Sequence, residues 1–217
     1  MSQTARSSHP LQLPKRSTLF EQTCDRLGLS AAAREQLEAY VATLGKWQPR
    51  LNLIGPKTWA DVWDRHVVDS LQCLDHLGTA DEGRGWADIG TGAGFPGVVM
   101  ALATGIPVRL VESDQRKAVF LSTVIRECGL TAKVHNSRIE ALPDLGASVI
   151  TARALAPLDR LLRLLGRQLT SGTRCLFLKG ARAEAEIAAA GEMVNLRQEL
   201  YPSLTNPDGF VIDLTVT

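Results

Sequence analysis

The chain has 217 residues, 45% of them hydrophobic, with 24 basic against 23 acidic side chains for a net charge of +1. That length suits one α/β domain with a modest extension; no stretch approaches the ~20 apolar residues of a membrane helix, and Met1–Arg16 lacks the apolar core of an export signal. Cys24, Cys73, Cys128 and Cys175 stand 49, 55 and 47 residues apart, which fits neither a zinc site nor a disulfide framework and points to a cytoplasmic protein with no metal.

Residues 1–16, polar and carrying Pro10 and Pro14, read as a disordered arm. From Ser17 to Leu44 apolar residues recur at three- and four-residue intervals, the pattern of an amphipathic helical segment, with Ser30 placed to cap a helix beginning at Ala31. Gly45 breaks that pattern, and residues 46–56 with Pro49, Gly55 and Pro56 look like a turn-rich connection. A further helix is expected from about Trp59 to Leu77, with Thr58 or Asp61 as its cap.

From Gly85 the chain alternates between strand and helix, which argues for a parallel sheet covered on both faces. Strands are expected near 86–89, 107–111, 132–135, 147–151 and 173–178. Helices are expected near 97–104, 115–128, 157–169 and 181–188. Two extended segments near 196–201 and 209–216 flank the turn Asn206-Pro207-Asp208-Gly209 and read as an antiparallel edge.

The first strand and helix enclose Asp88-Ile89-Gly90-Thr91-Gly92-Ala93-Gly94-Phe95-Pro96-Gly97. Glycines spaced by one let a backbone approach a ligand closely, and the following helix offers unpaired N–H groups. The second strand ends at Glu112, twenty residues after Gly92, where a carboxylate can accept hydrogen bonds from ribose hydroxyls. The spacing satisfies both an S-adenosylmethionine (SAM) motif and a dinucleotide fingerprint. Three features favour SAM. Asp88 beside the turn would repel a pyrophosphate but suits the cationic methionyl end of SAM. Neither Tyr40 nor Tyr201 has a lysine four residues on, as a short-chain reductase requires. Only 105 residues follow Glu112, too few for an ordinary separate substrate domain.

Past the third strand, Ser137-Arg138-Ile139-Glu140 reads either as an adenine-facing loop, with Ile139 on the ring and backbone groups at Ile139 and Glu140 on its edge, or as a helix cap formed by Ser137 and Glu140. The fourth strand ends in Thr151-Ala152-Arg153-Ala154 and lacks the Asn/Asp-Pro-Pro-Tyr of enzymes that methylate exocyclic amines. A ring nitrogen such as guanine N7 carries its lone pair in plane and needs no general base, so alignment suffices. Arg153 is suited to orienting a guanine through its fork of donors. Between Arg153 and Arg182 there are seven basic residues and one acid, a segregation that suits a phosphate backbone. Within it Arg160, Arg163 and Arg167 share a helix face turned from the glycine turn, as RNA contacts or as a solvated surface.

Six short motifs then fall into one order: Trp47 with Asn52-Leu53; Arg65-His66-x-x-Asp69-Ser70; Asp88 to Gly97; Ser137-Arg138-Ile139-Glu140; Ala152-Arg153-Ala154-x-Ala156; and Leu178-Lys179-Gly180. In these the chain resembles the small-subunit ribosomal RNA guanine-N7 methyltransferases, the glucose-inhibited division protein B family, over about residues 44–182. Thr151 departs from it, since many members place a serine directly before the arginine. The resemblance implies a class I SAM-dependent methyltransferase fold, Rossmann-like with a mostly parallel seven-stranded sheet and an antiparallel edge, plus an N-terminal helical extension. It implies SAM as methyl donor, S-adenosylhomocysteine as product, and 7-methylguanosine in small-subunit rRNA, free or in an assembling particle, with no membrane partner and a monomeric enzyme.

Combining the residue reading with the resemblance, the expected cofactor positions are Asp88, Gly90, Gly92, Gly94, Phe95, Glu112, Ile139, Glu140 and Arg153. The expected RNA positions are Asn52, Arg65, His66, Arg160, Arg163, Arg167 and Lys179. The expected division is an arm over 1–16, a helical extension over 17–83 and a methyltransferase core over 84–217. A small-molecule methyltransferase has no use for the long basic segment, and a SAM-binding RNA module without turnover none for the intact turn with Glu112.

Overall fold

The computed structural model describes residues 10–77, 84–191 and 196–217. Residues 1–9 of the expected arm and the expected boundary at residue 83 lie outside them.

Two helices open the described chain: α1 (Thr18–Arg26), capped by the Ser17 hydroxyl on the Phe20 N–H, and α2 (Ala31–Leu51), capped by Ser30 on the Ala33 N–H. α2 does not stop at Gly45. It continues through Pro49 to Leu51, which corrects the turn expected over 46–56. The reason lies outside the helix. Pro49 has no N–H to offer the carbonyl four residues back, and the Leu11 N–H takes that Gly45 carbonyl at 3.1 Å instead. Gly45 also has no Cβ because none fits: one would stand 2.8 Å from the Trp59 ring.

Residues 10–16, expected as part of the disordered arm, therefore have a place to bind. They run extended over the helices, with the Trp59 and Trp63 indole N–H groups donating to the Gln12 and Pro14 carbonyls at 3.0 and 2.9 Å. The single helix expected over 59–77 is instead a succession: a π-helical stretch Trp63–Val68, a short α3 (Asp69–Leu71) and a 3-10 stretch Gln72–His76.

β1 (Trp86–Ile89), α4 (Gly97–Thr104), β2 (Val108–Val111), α5 (Gln115–Cys128), β3 (Ala132–His135), β4 (Val149–Arg153), α6 (Leu158–Leu165), β5 (Arg174–Lys179) and α7 (Ala183–Ala190) follow, then β6 (Leu196–Pro202) and β7 (Phe210–Val216). The sheet order is β3-β2-β1-β4-β5-β7-β6. All pairs are parallel except β5–β7 and β6–β7, so the hairpin closes one edge antiparallel.

Alternation along β1 assigns its residues to two cores. Trp86 belongs to the core that includes residues of α1, α2, α4 and α5, whereas Ala87 and Ile89 belong to the core with α6 on the opposite face. The helical extension thus lies on the α4–α5 side. Gln36 Nε2 donates to the Cys128 carbonyl and the Thr43 hydroxyl to Glu127, while Tyr40 reaches the loop after β1.

Candidate active site

The strands' carboxyl ends converge on the turn between β1 and α4. Gly90, Gly92 and Gly94 have φ of 65°, 58° and 104°, a region that disfavours any side chain. The Gly90 and Thr91 N–H groups donate to the Val111 carbonyl at 2.9 and 3.1 Å. Below the turn Asp88 accepts from the Gly97 N–H at 3.0 Å and the Thr151 hydroxyl at 2.7 Å. The Tyr40 hydroxyl of α2 donates to the Ala93 carbonyl at 2.7 Å.

Asp88 is fully buried, and both its carboxylate oxygens are engaged within the turn and the neighbouring strand. Burial raises its pKa to about 6 from 3.8, against the hydrogen bonds it accepts. A proton held more tightly in the fold than in the unfolded chain stabilises fully below 3.8 and is lost as pH rises through about 6. Stability should fall across that window by on the order of 3 kcal/mol from this group alone. Asp88→Asn accepts the Gly97 N–H with its amide oxygen and donates its amide N–H to the Thr151 hydroxyl, reversing that bond without the charge, so its advantage over wild type should grow from pH 4 to pH 6. Denaturation midpoints across that range measure the difference; parallel curves for the two proteins would sink this account.

Glu112 is 6% exposed, with one oxygen accepting the Gly92 N–H at 2.9 Å and the other the Asp114 N–H at 2.7 Å. Asn136, which the sequence did not single out, donates to the Glu112 carbonyl at 2.9 Å and ties the β3 loop to the site. A cleft of about 210 Å³ opens between Gly90, Ser113, Ile139, Glu140, Leu155 and Arg160. Ser137 caps nothing, its hydroxyl being directed at the Arg138 carbonyl, so the loop is not the capping box weighed from sequence. Arg160 lines this cleft, contrary to the expectation that its face turns from the glycines. Arg163 points outward and pairs with Asp159 at 3.0 Å, and Arg167 is exposed in the 3-10 turn after α6.

A second cleft, of about 340 Å³, is lined by Arg65, His66, Asp69, Arg153 and, from the hairpin, Thr205 and Phe210, among others. Here the Phe95 ring lies between two partners: His66, stacked at 5.1 Å between centroids, and the Arg153 guanidinium, 4.7 Å from the ring centre. Arg153 also donates to Asp69 at 3.2 Å and the Arg65 carbonyl at 3.3 Å. Asp69 in turn accepts from Gln72 and from the Thr205 hydroxyl, each at 2.8 Å. Sequence reasoning left Asp69 without a role, although it stands inside the motif with Arg65 and His66.

The Thr58 hydroxyl donates to the Gly55 carbonyl at 2.8 Å, so its bond to His66 Nε2, also 2.8 Å, uses the imidazole N–H. Burial, with Arg153 and Arg65 nearby, lowers the His66 pKa to about 3. His66 is therefore neutral and offers no cation to a phosphate. Lys179, expected on RNA, is 7% exposed and spent on Glu186 at 2.8 Å and on the Ala156 carbonyl. Asn52 is exposed at the end of α2, in the left-handed region with φ 46°, and lines neither cleft.

Among the described residues no cluster of metal-ligating side chains occurs and no helix is long and apolar enough to cross a membrane. Residues 33–206 match the family described as GidB, rRNA small subunit methyltransferase G. The chain is 45% identical over 194 residues to a ribosomal RNA small subunit methyltransferase G of Paramagnetospirillum magneticum, covering 89% of this chain and 94% of that one. It is 42% identical to the protein of that name from Gluconobacter oxydans, covering 86% and 95%. Among solved structures, a SAM-dependent methyltransferase from Aquifex aeolicus aligns with a TM-score of 0.58 at 15% identity, over 76% of this chain and 96% of that one. MtNAS in complex with S-adenosylmethionine aligns at 0.57 and 18%, over 91% and 76%. These two likenesses are of fold.

Proposed function

The chain belongs to the GidB family, rRNA small subunit methyltransferase G, and from that premise we propose that it transfers a methyl group from SAM to N7 of a guanine in small-subunit ribosomal RNA. The observation that carries this reading is that two clefts open at the end of β4, one lined by Arg153 and Ala154 and the other by the next residue, Leu155, with Gly90 of the glycine turn. We assign the first to the cofactor. A Cβ on Gly92 would meet nothing nearer than the Gly90 carbonyl at 3.8 Å, so the glycine keeps a face of the turn open where a side chain would project. Gly90, Gly94, Phe95, Ile139 and Glu140 complete that cradle, with Glu112 as acceptor for the ribose hydroxyls. When bound, SAM supplies an electrophilic methyl group on a sulfonium.

Guanine N7 attacks with a lone pair already in the ring plane, so no residue of the chain has to remove a proton. What the chain supplies is alignment and exclusion of water. Arg153, braced by Asp69 and stacked on Phe95, orients the guanine in the second cleft. Arg65 lies at its mouth, Arg160 beside the cofactor cleft, and Arg163 and Arg167 extend the basic face. Residues 17–83 act as a helical extension and 84–217 as the catalytic core, and the enzyme works in the cytoplasm on rRNA free or in an assembling subunit. Incubation with methyl-labelled SAM and small-subunit rRNA should yield label as 7-methylguanosine, detected by strand scission at the modified base. Label on another guanine atom, or none on rRNA or on small ribosomal subunits, would overturn the assignment.

A further inference from the structure

On the α2–α5 side of the molecule, away from the Arg153 cleft, a groove of about 460 Å³ is lined by Lys46, Trp47, Arg50, Leu51, Arg116 and Val119. Its composition is unlike that of an ordinary surface hollow: three cations, no carboxylate, an indole and two aliphatic side chains. Trp47 is half-buried, with its ring held edge-on to Phe120 at 5.8 Å between centroids, so the indole is fixed before anything binds. Val119 is 50% exposed. Lys46 and Arg50 are exposed and make no ion pair or hydrogen bond with another described residue. Arg116 is 76% exposed and is aimed by Asp114, whose own N–H is bonded to Glu112. The groove's rim is thus joined by two residues to the carboxylate assigned to the ribose.

We propose that this groove holds unpaired nucleotides of the rRNA that flank the target guanine, an inference that rests on the function proposed above. A fixed aromatic platform with aliphatic neighbours accepts any base by stacking, and cations around it accept the phosphates on either side. A continuous duplex does not fit, because its bases are stacked on each other and cannot reach Trp47. The RNA would then run from the Arg153 cleft to the Trp47 groove.

The test measures retention of transcribed small-subunit rRNA by the full-length protein between 50 and 200 mM salt, beside calorimetric SAM binding. Lys46→Gln/Arg50→Gln, at exposed positions, should lessen the log–log salt slope by about 1.4, at ~0.7 per single-strand phosphate contact. Trp47→Leu should weaken binding roughly five- to hundred-fold, the effect of one lost stacked base, with the slope unchanged. SAM affinity should stay at the wild-type value in both, which also reports that each variant is folded. Wild-type affinity and slope in both variants, with rRNA still methylated, would overturn the groove alone. Conversion of a dimer to a monomer by Trp47→Leu with RNA binding intact would give the groove to a second copy of the chain and equally overturn it. A wild-type protein that neither retains nor methylates rRNA would remove the proposed function, and this inference with it.

Discussion

Replacing Gly97 with alanine should lower the melting temperature by about 6–12 °C and abolish measurable SAM binding. Gly97 opens α4, and helix propensity alone gives the opposite sign, since alanine in a helix is favoured over glycine by roughly 1 kcal/mol. Packing decides against it. A Cβ at Gly97 would stand 2.4 Å from the Asp88 Cβ and 2.8 Å from its carboxylate, and both residues are buried without room to part. Overpacking of this kind costs about 3 kcal/mol at the upper end, and each kcal/mol is worth ~2–4 °C in a chain of this size. The helix start would also be pushed off the acid that fixes it, distorting the three glycines in front. A thermal melt paired with SAM titration measures both effects. An unchanged or higher melting temperature would mean that Asp88 can move aside, and that it does not define the turn.

The second large effect is expected at Arg153. Arg153→Lys should reduce kcat on rRNA about 100-fold, the scale on which ångström misplacement of a reactant acts. Lysine retains the charge but not the planar fork that lets one group stack on Phe95 while bonding Asp69 and the Arg65 carbonyl. The salt slope of RNA binding should change by less than one phosphate contact, because the role is local orientation rather than general attraction. Single-turnover rates beside slopes from 50 to 200 mM salt separate the two. Wild-type turnover in Arg153→Lys would remove the orienting role; a flattened slope with normal turnover would make Arg153 an ordinary phosphate contact.

The parts of this molecule that could be read in the sequence are those whose causes are local. α4 and α5 were expected at 97–104 and 115–128 and lie at Gly97–Thr104 and Gln115–Cys128, because a buried strand, a glycine turn and a capped helix each carry their own signal. β4 was expected at 147–151, directly after Gly146, and lies at Val149–Arg153, because its pairing with β1 begins only at Val149. The continuation of α2 through Gly45 and Pro49 was illegible, since what rescues it, the Leu11 N–H and the Trp59 ring, comes from elsewhere in the chain. Lys179 read as a free cation because Glu186, which neutralises it, meets it only once α7 has folded against β5. The burial of Asp88 is instructive. Its period-two relation to Trp86 already turned it toward the helical extension rather than the crevice, but an acid beside a glycine turn invites a ligand reading first. The brace of Arg153 by Asp69 and Thr205 spans 136 residues from Asp69 to the hairpin, beyond any local pattern.

The hydrogen bond from Tyr40 to the Ala93 carbonyl has a bearing on how such a chain can diverge. The floor of the proposed cofactor site is written in two stretches of sequence 53 residues apart, one in a helix that contributes no residue to that cleft's lining and one in the glycine turn itself. Recombination that exchanged the first 83 residues between distant relatives would inherit a turn from one parent and its prop from the other. A mismatch there leaves a buried carbonyl without its donor, at a cost of ~1–3 kcal/mol in a protein whose total margin is of order 10 kcal/mol. Selection on the methyl-transfer core therefore reaches into the helical extension, and the two halves are expected to change together or not at all.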